Sequence, residues 1–488
     1  MADDMGWGDV AANGSNKIVR TPNLDAMAAA GLRLTRCYAT SPQCTPTRAG
    51  FLTGRHPSRN GCYCAGGNPL STEATTMAEL LRDAGYATGH FGKWHVGGVS
   101  TSDPTGPSRQ GFDNQYSIIN SYMAHKMDVS FTPTGSRRSE RSSGYCEDVV
   151  MDAALKFIRA SVEKERPFLA VMWNLAPHSP FLATAADRQP YVDLPEDEQH
   201  YWGQITNIDK NVGRLRRELR TLDVAENTLL VFTSDNGAVF RSRDHDPFQG
   251  GKNNLWEGGL RVPGLVEWPV RITEPRVSNV PVNLVDLFPT VLELAGVAVP
   301  QDIGRLDGVS LVPLLDGKWK ERPQPMGFHF LHQRWEGNLQ RRRDEFLSGV
   351  GKVGFAVIDN RYKLITNLRG EWNRMVITLV GEHLTVVLNG EVVIEATLPG
   401  LPPPPWRINS GWTRAARTLW APCRVRTKRE GASWHPSGAH RTEFPASGSP
   451  PISAGVRKST TGRVMHWPRR SPSQQAISRC RRMCTSTG

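Results

Sequence analysis

Apolar strand-like runs alternate with helical patterns between residues 20 and 300, and this alternation constrains the fold more than any other feature. Met77 to Ala84 has a helical pattern that Gly85 ends, and Tyr86 to Phe91 follows as a strand. Phe168 to Asn174 and Thr228 to Thr233 are apolar runs with the length of buried strands. Alternation of this kind predicts an α/β fold with a largely parallel sheet flanked by helices.

Polar side chains follow the carboxyl end of each predicted strand. Lys93 and His95 come directly after the first strand, His178 follows the second, and Asp235 and Asn236 follow the third. In open α/β sheets, functional groups sit just beyond the carboxyl ends of the strands. The pattern therefore predicts a functional site at this edge of the sheet.

The net positive charge of the chain comes from its last part. The formal net charge is +12, but residues 401–488 contain sixteen lysines and arginines against two acidic residues. The preceding 400 residues are therefore close to neutral, at about −2. Because affinity for nucleic acid comes mainly from neutralised phosphates, we expect the main body of the protein not to bind it.

The sequence contains no run of about 18 apolar residues and therefore predicts no membrane span. The first residues, Met1-Ala2-Asp3-Asp4, lack the basic and apolar pattern of a signal peptide. The eight cysteines show neither the paired spacing of a zinc site nor the density of a disulfide scaffold. Composition alone thus leaves the redox compartment open.

Cys44 begins the most specific motif of the chain, Cys44-Thr45-Pro46-Thr47-Arg48, which is followed by Thr53-Gly54-Arg55. Taken alone, a cysteine near a proline is most often a small buried residue. The motif, however, resembles the C-x-P-x-R motif of the sulfatase family, and further blocks of resemblance extend from Asp3 to about Leu364. This resemblance implies an alkaline-phosphatase-like α/β sandwich with a large, mixed, mostly parallel sheet and a small C-terminal β region.

The resemblance also implies that a maturation enzyme oxidises Cys44 to formylglycine, an aldehyde that binds water as a geminal diol. One hydroxyl attacks sulfur and displaces the alcohol, and the second expels sulfate by re-forming the aldehyde. A serine or thiol nucleophile lacks a second hydroxyl that could expel sulfate in this way. Covalent catalysis through the diol splits one difficult step into two easier ones. Arg48 would fix the diol, although taken alone it is a surface cation.

Two pairs, Asp3-Asp4 and Asp235-Asn236, match the metal-binding positions of the family, and the formylglycine oxygen of Cys44 would complete the ligands. Taken alone, the first pair is a solvated chain end and the second is a turn. Oxygen ligands with several carboxylates suit Ca²⁺ or Mg²⁺, and no histidine or cysteine cluster indicates zinc. The resemblance implies calcium, which would polarise a sulfate oxygen and favour an ionised diol oxygen.

Four further residues match catalytic positions of the family: Lys93, His95, His178 and Lys252. With Arg48, the two lysines would surround the sulfate with preorganised positive charge. His95 would assist removal of the hemiacetal proton, and His178 would donate a proton to the leaving alcohol. Taken singly, each lysine is a solvated cation and each histidine forms a hydrogen bond in the core.

The resemblance assigns residues 1–364 to a catalytic domain and leaves two further segments. In residues 365–400, apolar alternation around Asn389-Gly390 predicts a β-hairpin with a type I′ turn. This hairpin is similar to part of a laminin-G or concanavalin-like module, or it closes a small sheet of the enzyme. Residues 401–488 contain few apolar residues and many arginines, so we expect a disordered tail or a misframed end.

Sulfatases normally place an apolar strand before the Asp-Asp pair, whereas here Met1-Ala2 directly precede Asp3-Asp4. We therefore expect this central strand to be missing and neighbouring strands to keep unpaired backbone groups. The protein would then be poorly stable and bind calcium weakly. The sequence would be a fragment whose natural form extends upstream.

We interpret the chain as a hydrolase of sulfate monoesters that acts on an aryl or sugar sulfate, either a small molecule or a glycan. One alternative is a phosphate or phosphonate monoester hydrolase with the same site, and another is a truncated, noncatalytic protein. The resemblance implies a periplasmic or secreted location. Substrate specificity would lie in loops at 99–114, 123–143 and 328–344, which carry no recognisable code.

Overall fold

A computed structural model of the chain describes residues 1–120, 127–239, 247–331 and 353–365, and the strands at 375–380, 383–388 and 391–397. The predicted tail at 401–488 and parts of the loops at 123–143 and 328–344 lie outside the described residues. The α-helices are α1 (Pro22–Ala30), α2 (Cys44–Thr53), α3 (Pro57–Asn60), α4 (Met77–Asp83), α5 (Cys146–Glu163), α6 (Ala185–Arg188), α7 (Glu196–Thr221), α8 (Glu257–Leu260), α9 (Leu287–Leu294) and α10 (Val312–Leu315). The strands are β1 (Leu32–Leu34), β2 (Cys37–Tyr38), β3 (Ala87–Lys93), β4 (Asn114–Ile118), β5 (Ser130–Pro133), β6 (Glu140–Arg141), β7 (Phe168–Trp173), β8 (Leu230–Thr233), β9 (Arg261–Val262), β10 (Gly264–Glu267), β11 (Arg276–Ser278), β12 (Val282–Asn283), β13 (Met326–Leu331), β14 (Val353–Ile358), β15 (Lys363–Ile365), β16 (Met375–Val380), β17 (His383–Leu388) and β18 (Glu391–Thr397).

The centre of the molecule is a mixed sheet in two parts. One part has the strand order β6-β5-β4-β3-β7 and the other has the order β8-β10-β1-β11. β3 runs parallel to both β4 and β7, whereas β5 and β6 pair in the antiparallel direction. β10 is antiparallel to both β8 and β1. The sheet is therefore mixed: β3 pairs in parallel with both neighbours and β1 with β11, whereas the other pairs named here are antiparallel.

The residues before the Asp3-Asp4 pair lie between β7 and β8 and hydrogen-bond to both strands. The amino group of Met1 donates to the carbonyl of Met172 (2.8 Å), and the Asn174 N–H donates to the carbonyl of Met1 (2.9 Å). On the other side, the Ala2 N–H donates to the carbonyl of Thr233 (2.8 Å). The prediction that the neighbouring strands keep unpaired backbone groups is therefore wrong for these groups, because Met1 and Ala2 supply their partners. The predicted loss of stability remains a prediction.

Helices cover both faces of this sheet. On one face, the ring of Phe91 in β3 packs against Phe157 in α5, with centroids 5.4 Å apart. On the opposite face, Trp173 at the end of β7 contacts Phe51 in α2 at 5.8 Å. Burial on both faces explains why these strands appear in the sequence as continuous apolar runs. Among the described residues, no helix is both long enough and apolar enough to cross a membrane.

Helix boundaries follow local signals that are partly visible in the sequence. α4 begins with a capping box, because Thr76 Oγ1 accepts the Glu79 N–H (3.2 Å) and Glu79 Oε2 accepts the Thr76 N–H (2.8 Å). α7 begins at Glu196, and its first turn is acidic and lacks apolar periodicity. Acidic residues stabilise a helix amino terminus, so this start is set by charge and not by an apolar pattern.

Antiparallel strands occur where the C-terminal alternation predicts them. β16, β17 and β18 pair in sequence order, and Leu388 lies opposite Glu391 across the predicted turn. The turn residues Asn389 and Gly390 lie outside the described residues. Membership of a concanavalin-like module remains a prediction, as do the proposed domain boundaries.

Replacing Arg322 by leucine is expected to lower the free energy of unfolding by about 3–5 kcal/mol, because it leaves the buried carboxylate of Asp286 without its cation. Arg322 donates to both carboxylate oxygens of Asp286, at 2.5 and 2.8 Å, and both side chains are almost fully buried. Denaturant unfolding measures this loss. The exposed Lys318, which pairs with Asp316 at 3.0 Å, is the matched control. Lys318→Leu should cost at most about 1 kcal/mol, and an equal loss in both variants would contradict the prediction.

Candidate active site

The structure brings the predicted site residues together at the carboxyl edge of the parallel strands. Lys93 is the last residue of β3, His178 follows β7, and Asp235 follows β8. Asp3 and Asp4 follow the segment that lies between β7 and β8, and the Asp4 N–H donates to Asp235 Oδ1 (3.2 Å). Residues far apart in the sequence thus form one polar cluster inside an apolar scaffold.

Cys44 opens α2, which directs Arg48 into the same cluster. Both side chains are buried, with 1% and 0% of their surface exposed. Arg48 Nε and Nη2 both donate to Asp235 Oδ2, at 2.9 and 2.7 Å, and Nη1 donates to the carbonyl of Lys93 (2.7 Å). A surface role for Arg48 is therefore excluded, because its donors are held by groups of the cluster.

Trp173 adds an aromatic contact that sequence analysis missed. The guanidinium carbon of Arg48 lies 4.9 Å from the centroid of the Trp173 ring, a cation–π distance.

The backbone of Trp173 also explains why the residue before Lys93 is a glycine. A Cβ on Gly92 would lie 2.0 Å from the carbonyl oxygen of Trp173, and Gly92 has a φ of +99°. Only glycine permits this approach of β7 to the end of β3.

The two lysines are each paired with an aspartate. Lys93 Nζ donates to Asp3 Oδ1 and Oδ2 at 2.9 and 2.7 Å, and both side chains are fully buried. Lys252 Nζ lies 2.7 Å from Asp4 Oδ1, with 11% of the lysine side chain exposed. Neither lysine is a solvated surface cation, so the alternative reading of both is wrong.

Burial and neighbouring charges shift the acidity of the cluster. Burial opposes ionisation of Asp3, but Lys93, His178, Arg48 and Lys252 together hold its pKa well below the usual value. Burial, together with the negative charge of Asp3, raises the pKa of Asp235 to about 6. Burial also raises the pKa of the Cys44 thiol, although Lys252 and Lys93 oppose this shift. The unmodified Cys44 is therefore a neutral thiol and a poor nucleophile.

The donor set fits a hard cation. Asp3, Cys44 and Asp235 each offer a ligand atom, and these atoms lie within 4.8 Å of one another. Asn236 donates from Nδ2 to Asp4 Oδ1 (2.7 Å), whereas its buried Oδ1 has no hydrogen-bond partner within the described part of the chain. A buried amide oxygen without a partner costs about 1–3 kcal/mol, so a cation that binds this oxygen would remove an existing penalty. Carboxylate and amide oxygens are the ligands that Ca²⁺ and Mg²⁺ prefer.

The two histidines occupy different positions. His178 Nε2 lies 3.5 Å from Asp4 Oδ2, and its Nδ1 donates to the carbonyl of Ser179 (2.6 Å). Burial lowers the pKa of His178, while Asp3 and Asp4 oppose this shift. His95 follows Lys93 by two residues, and its carbonyl accepts the Thr45 hydroxyl (2.8 Å), which ties it to the residue after Cys44. Burial and then Lys93 hold the pKa of His95 well below its usual value.

Ser234 and Gln43 also support the cluster, although sequence analysis did not identify them. Ser234 Oγ accepts the Met5 N–H (2.9 Å) and donates to the carbonyl of Asn236 (3.0 Å). Gln43 Nε2 donates to Asn253 Oδ1 (2.9 Å), which links the residue before Cys44 to the residue after Lys252. Adjacency to a predicted site residue was the available signal for both.

Two family models match the chain. The model described as Sulfatase matches residues 1–297, which is more than half of the chain. The model described as N-sulphoglucosamine sulphohydrolase, C-terminal, matches residues 245–374. The matched regions include all the residues of the polar cluster.

Curated relatives match over the same region. N-acetylgalactosamine-6-sulfatase of Canis lupus familiaris is 34% identical over 360 residues, which cover 66% of this chain and 66% of the relative. Steryl-sulfatase of Homo sapiens is 30% identical over 423 residues, which cover 68% of this chain and 71% of the relative. The chain thus spans about two thirds of the length of these relatives.

Solved structures share the fold. Ps i-CgsB, crystallised in complex with k-i-k-neocarrahexaose, has a TM-score of 0.66 and 28% identity, and the match covers 76% of this chain and 84% of that one. Phosphonate monoester hydrolase of Agrobacterium radiobacter has a TM-score of 0.55 and 20% identity, covering 79% and 88%. The second likeness shows the fold alone. Together these matches confirm the predicted alkaline-phosphatase-like architecture.

Proposed function

Because the chain belongs to the sulfatase family, whose members hydrolyse sulfuric esters, we propose that it hydrolyses sulfate monoesters through a nucleophile formed from Cys44. One observation carries the proposal: Cys44 is buried in a cluster where carboxylates alternate with Arg48, Lys93 and Lys252. Such a site offers positive charge to a small anion and oxygen ligands to a cation. A cysteine that served only for packing would not need charged side chains around it.

Cys44 would act after conversion to formylglycine by a maturation enzyme. The hydrated aldehyde supplies a nucleophilic hydroxyl and a second hydroxyl that releases sulfate. Arg48 is suited to orient this group, because its own position is fixed by Asp235, the Lys93 carbonyl and the Trp173 ring. A guanidinium held in this way offers directed hydrogen bonds without further reorganisation.

Asp3, Asp4, Asp235 and Asn236 would hold a calcium ion, with Mg²⁺ as the alternative cation. When bound, the ion supplies positive charge that polarises a sulfate oxygen and favours ionisation of the nucleophile. The convergence of three carboxylates supports this assignment, as does Asn236 Oδ1, which has no hydrogen-bond partner among the residues that the structure describes. Lys93 and Lys252 would contribute further charge to the sulfate oxygens, worth about 2–4 kcal/mol per donor by analogy with oxyanion holes.

The histidines would move protons. His178 would protonate the leaving alcohol oxygen as the S–O bond breaks; burial lowers the pKa of His178, and the nearby Asp3 and Asp4 carboxylates oppose that shift. His95 would accept the hydroxyl proton when sulfate is released, a role that suits a histidine whose pKa is held low by burial and Lys93.

The substrate is proposed to be a sulfated carbohydrate. The relative named N-acetylgalactosamine-6-sulfatase and the neighbour in complex with k-i-k-neocarrahexaose support this class. The relative named steryl-sulfatase supports a second class, steryl sulfates. Aryl sulfates serve as general probes for both classes.

The charge balance of the cluster favours sulfate over phosphate esters. Three carboxylates balance the three cations: Lys93 pairs with Asp3, Lys252 with Asp4 and Arg48 with Asp235, and Arg48 Nη2 also lies 3.6 Å from Asp3 Oδ1. A sulfate monoester carries one negative charge, whereas a phosphate monoester carries nearly two at neutral pH. The likeness to a phosphonate monoester hydrolase concerns the fold and does not change this preference.

The proposal is tested on protein expressed with and without a formylglycine-generating enzyme. Mass spectrometry should show the Cys44 side chain converted to an aldehyde only in the first preparation, and hydrolysis of 4-nitrophenyl sulfate should follow the converted fraction. Turnover of 4-nitrophenyl phosphate should be at least about tenfold slower, a difference of about 1.4 kcal/mol in barrier. Full sulfatase activity with an unmodified thiol would overturn the nucleophile assignment. Converted protein that hydrolyses neither ester would indicate the noncatalytic alternative.

A further inference from the structure

We propose that Glu147 is a positioning residue, which sets the placement of the Asp3 carboxylate and the His178 imidazole through the backbone of Leu175 and Ala176. This inference rests on the proposed function, in which Asp3 binds the cation and His178 protonates the leaving group. Glu147 itself acts through the peptide chain.

Glu147 is a buried carboxylate with defined acceptor contacts. It is the second residue of α5, where the helix dipole favours negative charge, and 1% of its surface is exposed. Its Oε1 accepts the N–H groups of Leu175 (2.9 Å) and Ala176 (2.8 Å). Two backbone N–H groups therefore converge on one carboxyl oxygen. Glu147 thus fixes the segment that joins β7 to His178.

Ala176 transmits this constraint to the aspartates. Its N–H is held by Glu147, and its carbonyl accepts the N–H of Asp3 at 3.0 Å. Two residues later, His178 places Nε2 3.5 Å from Asp4 Oδ2. One peptide segment therefore determines where the first cation ligand and the proton donor lie relative to each other. A displacement of about 1 Å at such a point can lower turnover about 10²-fold.

Three substitutions separate the acceptor role of Glu147 from its packing. Glu147→Ala removes the acceptor, so Leu175 and Ala176 must move to find other partners. Glu147→Asp keeps the carboxyl group but is shorter by one methylene and cannot reach both N–H groups from the same backbone position. Glu147→Gln keeps an oxygen at the same reach. Glu163→Ala, an exposed glutamate at the end of the same helix, is the matched control.

The decisive readout is dependence on the leaving group. Phenyl sulfate releases a more basic alcohol than 4-nitrophenyl sulfate and depends more on protonation by His178. Glu147→Ala should lower kcat for phenyl sulfate about tenfold more than for 4-nitrophenyl sulfate, with smaller changes in KM. It should also raise the calcium concentration at the midpoint of thermal stabilisation by about tenfold. Glu147→Gln should lower kcat less and by the same factor for both esters, and Glu163→Ala should change neither readout.

His178→Ala separates the failure of this proposal from that of the proposed function. If His178→Ala lowers kcat equally for phenyl sulfate and 4-nitrophenyl sulfate, the role of His178 as proton donor is wrong. The calcium midpoint of Glu147→Ala then tests the positioning role of Glu147 by itself. If Glu147→Ala lowers kcat equally for both esters and leaves the midpoint unchanged, the positioning role is overturned. If Glu147→Ala does not fold, the aspartate variant must show the selective loss and the glutamine variant must not. Protein with neither activity nor calcium stabilisation would overturn both proposals.

Discussion

Cys44→Ala is expected to lower the turnover of sulfate monoesters by at least about 10⁴-fold, because it removes the atom from which the nucleophile is formed. The residual rate would come from the cation and the charged side chains, which remain in place. Measurement of kcat with 4-nitrophenyl sulfate on matured protein checks this result.

The same substitution should leave the fold nearly unchanged. Cys44 is buried at the first position of α2, and alanine is smaller and favours the helix. The loss of one buried sulfur atom should cost about 1–2 kcal/mol of unfolding free energy. Thermal unfolding followed by circular dichroism should therefore remain cooperative, with a modestly lower midpoint.

Cys62→Ala is the matched control for this variant. Cys62 is also a fully buried free thiol, and burial together with Cys64 raises its pKa to about 12. Its replacement should cost similar stability and leave kcat unchanged. A Cys44→Ala variant that keeps more than about one hundredth of the original turnover would contradict the assignment of the nucleophile.

Asp235→Asn is expected to abolish stabilisation by calcium and to lower kcat about 10²–10³-fold. Asp235 is a proposed cation ligand, and its Oδ2 accepts two hydrogen bonds from Arg48. An amide offers one oxygen instead of two and carries no charge. Arg48 and the cation would then compete for that oxygen, so the loss of turnover should be comparable to that of one oxyanion-hole donor.

Thermal unfolding with calcium and with a chelator measures this effect. At a calcium concentration 100 times the dissociation constant, a single site stabilises the folded protein by about 2.7 kcal/mol. The wild type should show this increase and Asp235→Asn should not. Asp152→Asn, on an exposed aspartate that pairs with Arg214, is the control and should keep the full increase. Equal calcium stabilisation in Asp235→Asn and the wild type would show that the cation binds elsewhere.

The strands and helices of the centre were predicted from the sequence because their signals are local. The buried run from Phe168 matches β7, and the periodicity after Met77 matches α4. Burial on one or both faces dictates these patterns within a few residues. The motif around Cys44 and Arg48 is local in the same sense, because both residues belong to one helix. Placement of polar residues after strands then indicated which edge of the sheet carries the site.

Tertiary structure decided which of these residues touch. Arg48 and Asp235 are separated by 187 positions, and no sequence period records their two hydrogen bonds. The ring of Trp173 over Arg48 had no signal beyond an apolar strand end, and Glu147 had none beyond an acidic helix start. Such contacts depend on how the sheet and its helices pack, and packing is fixed by many residues at once.

The start of the chain shows the division most clearly. From the sequence, the resemblance to the sulfatase family predicted that Asp3 and Asp4 belong with Asp235 and Asn236, and the two pairs are in hydrogen-bond contact. Only the tertiary structure placed Met1 and Ala2 between β7 and β8, where their backbone hydrogen bonds hold the aspartates at the cluster. Backbone pairing across a sheet is the same for every side chain, so the sequence cannot specify it without the neighbouring strands.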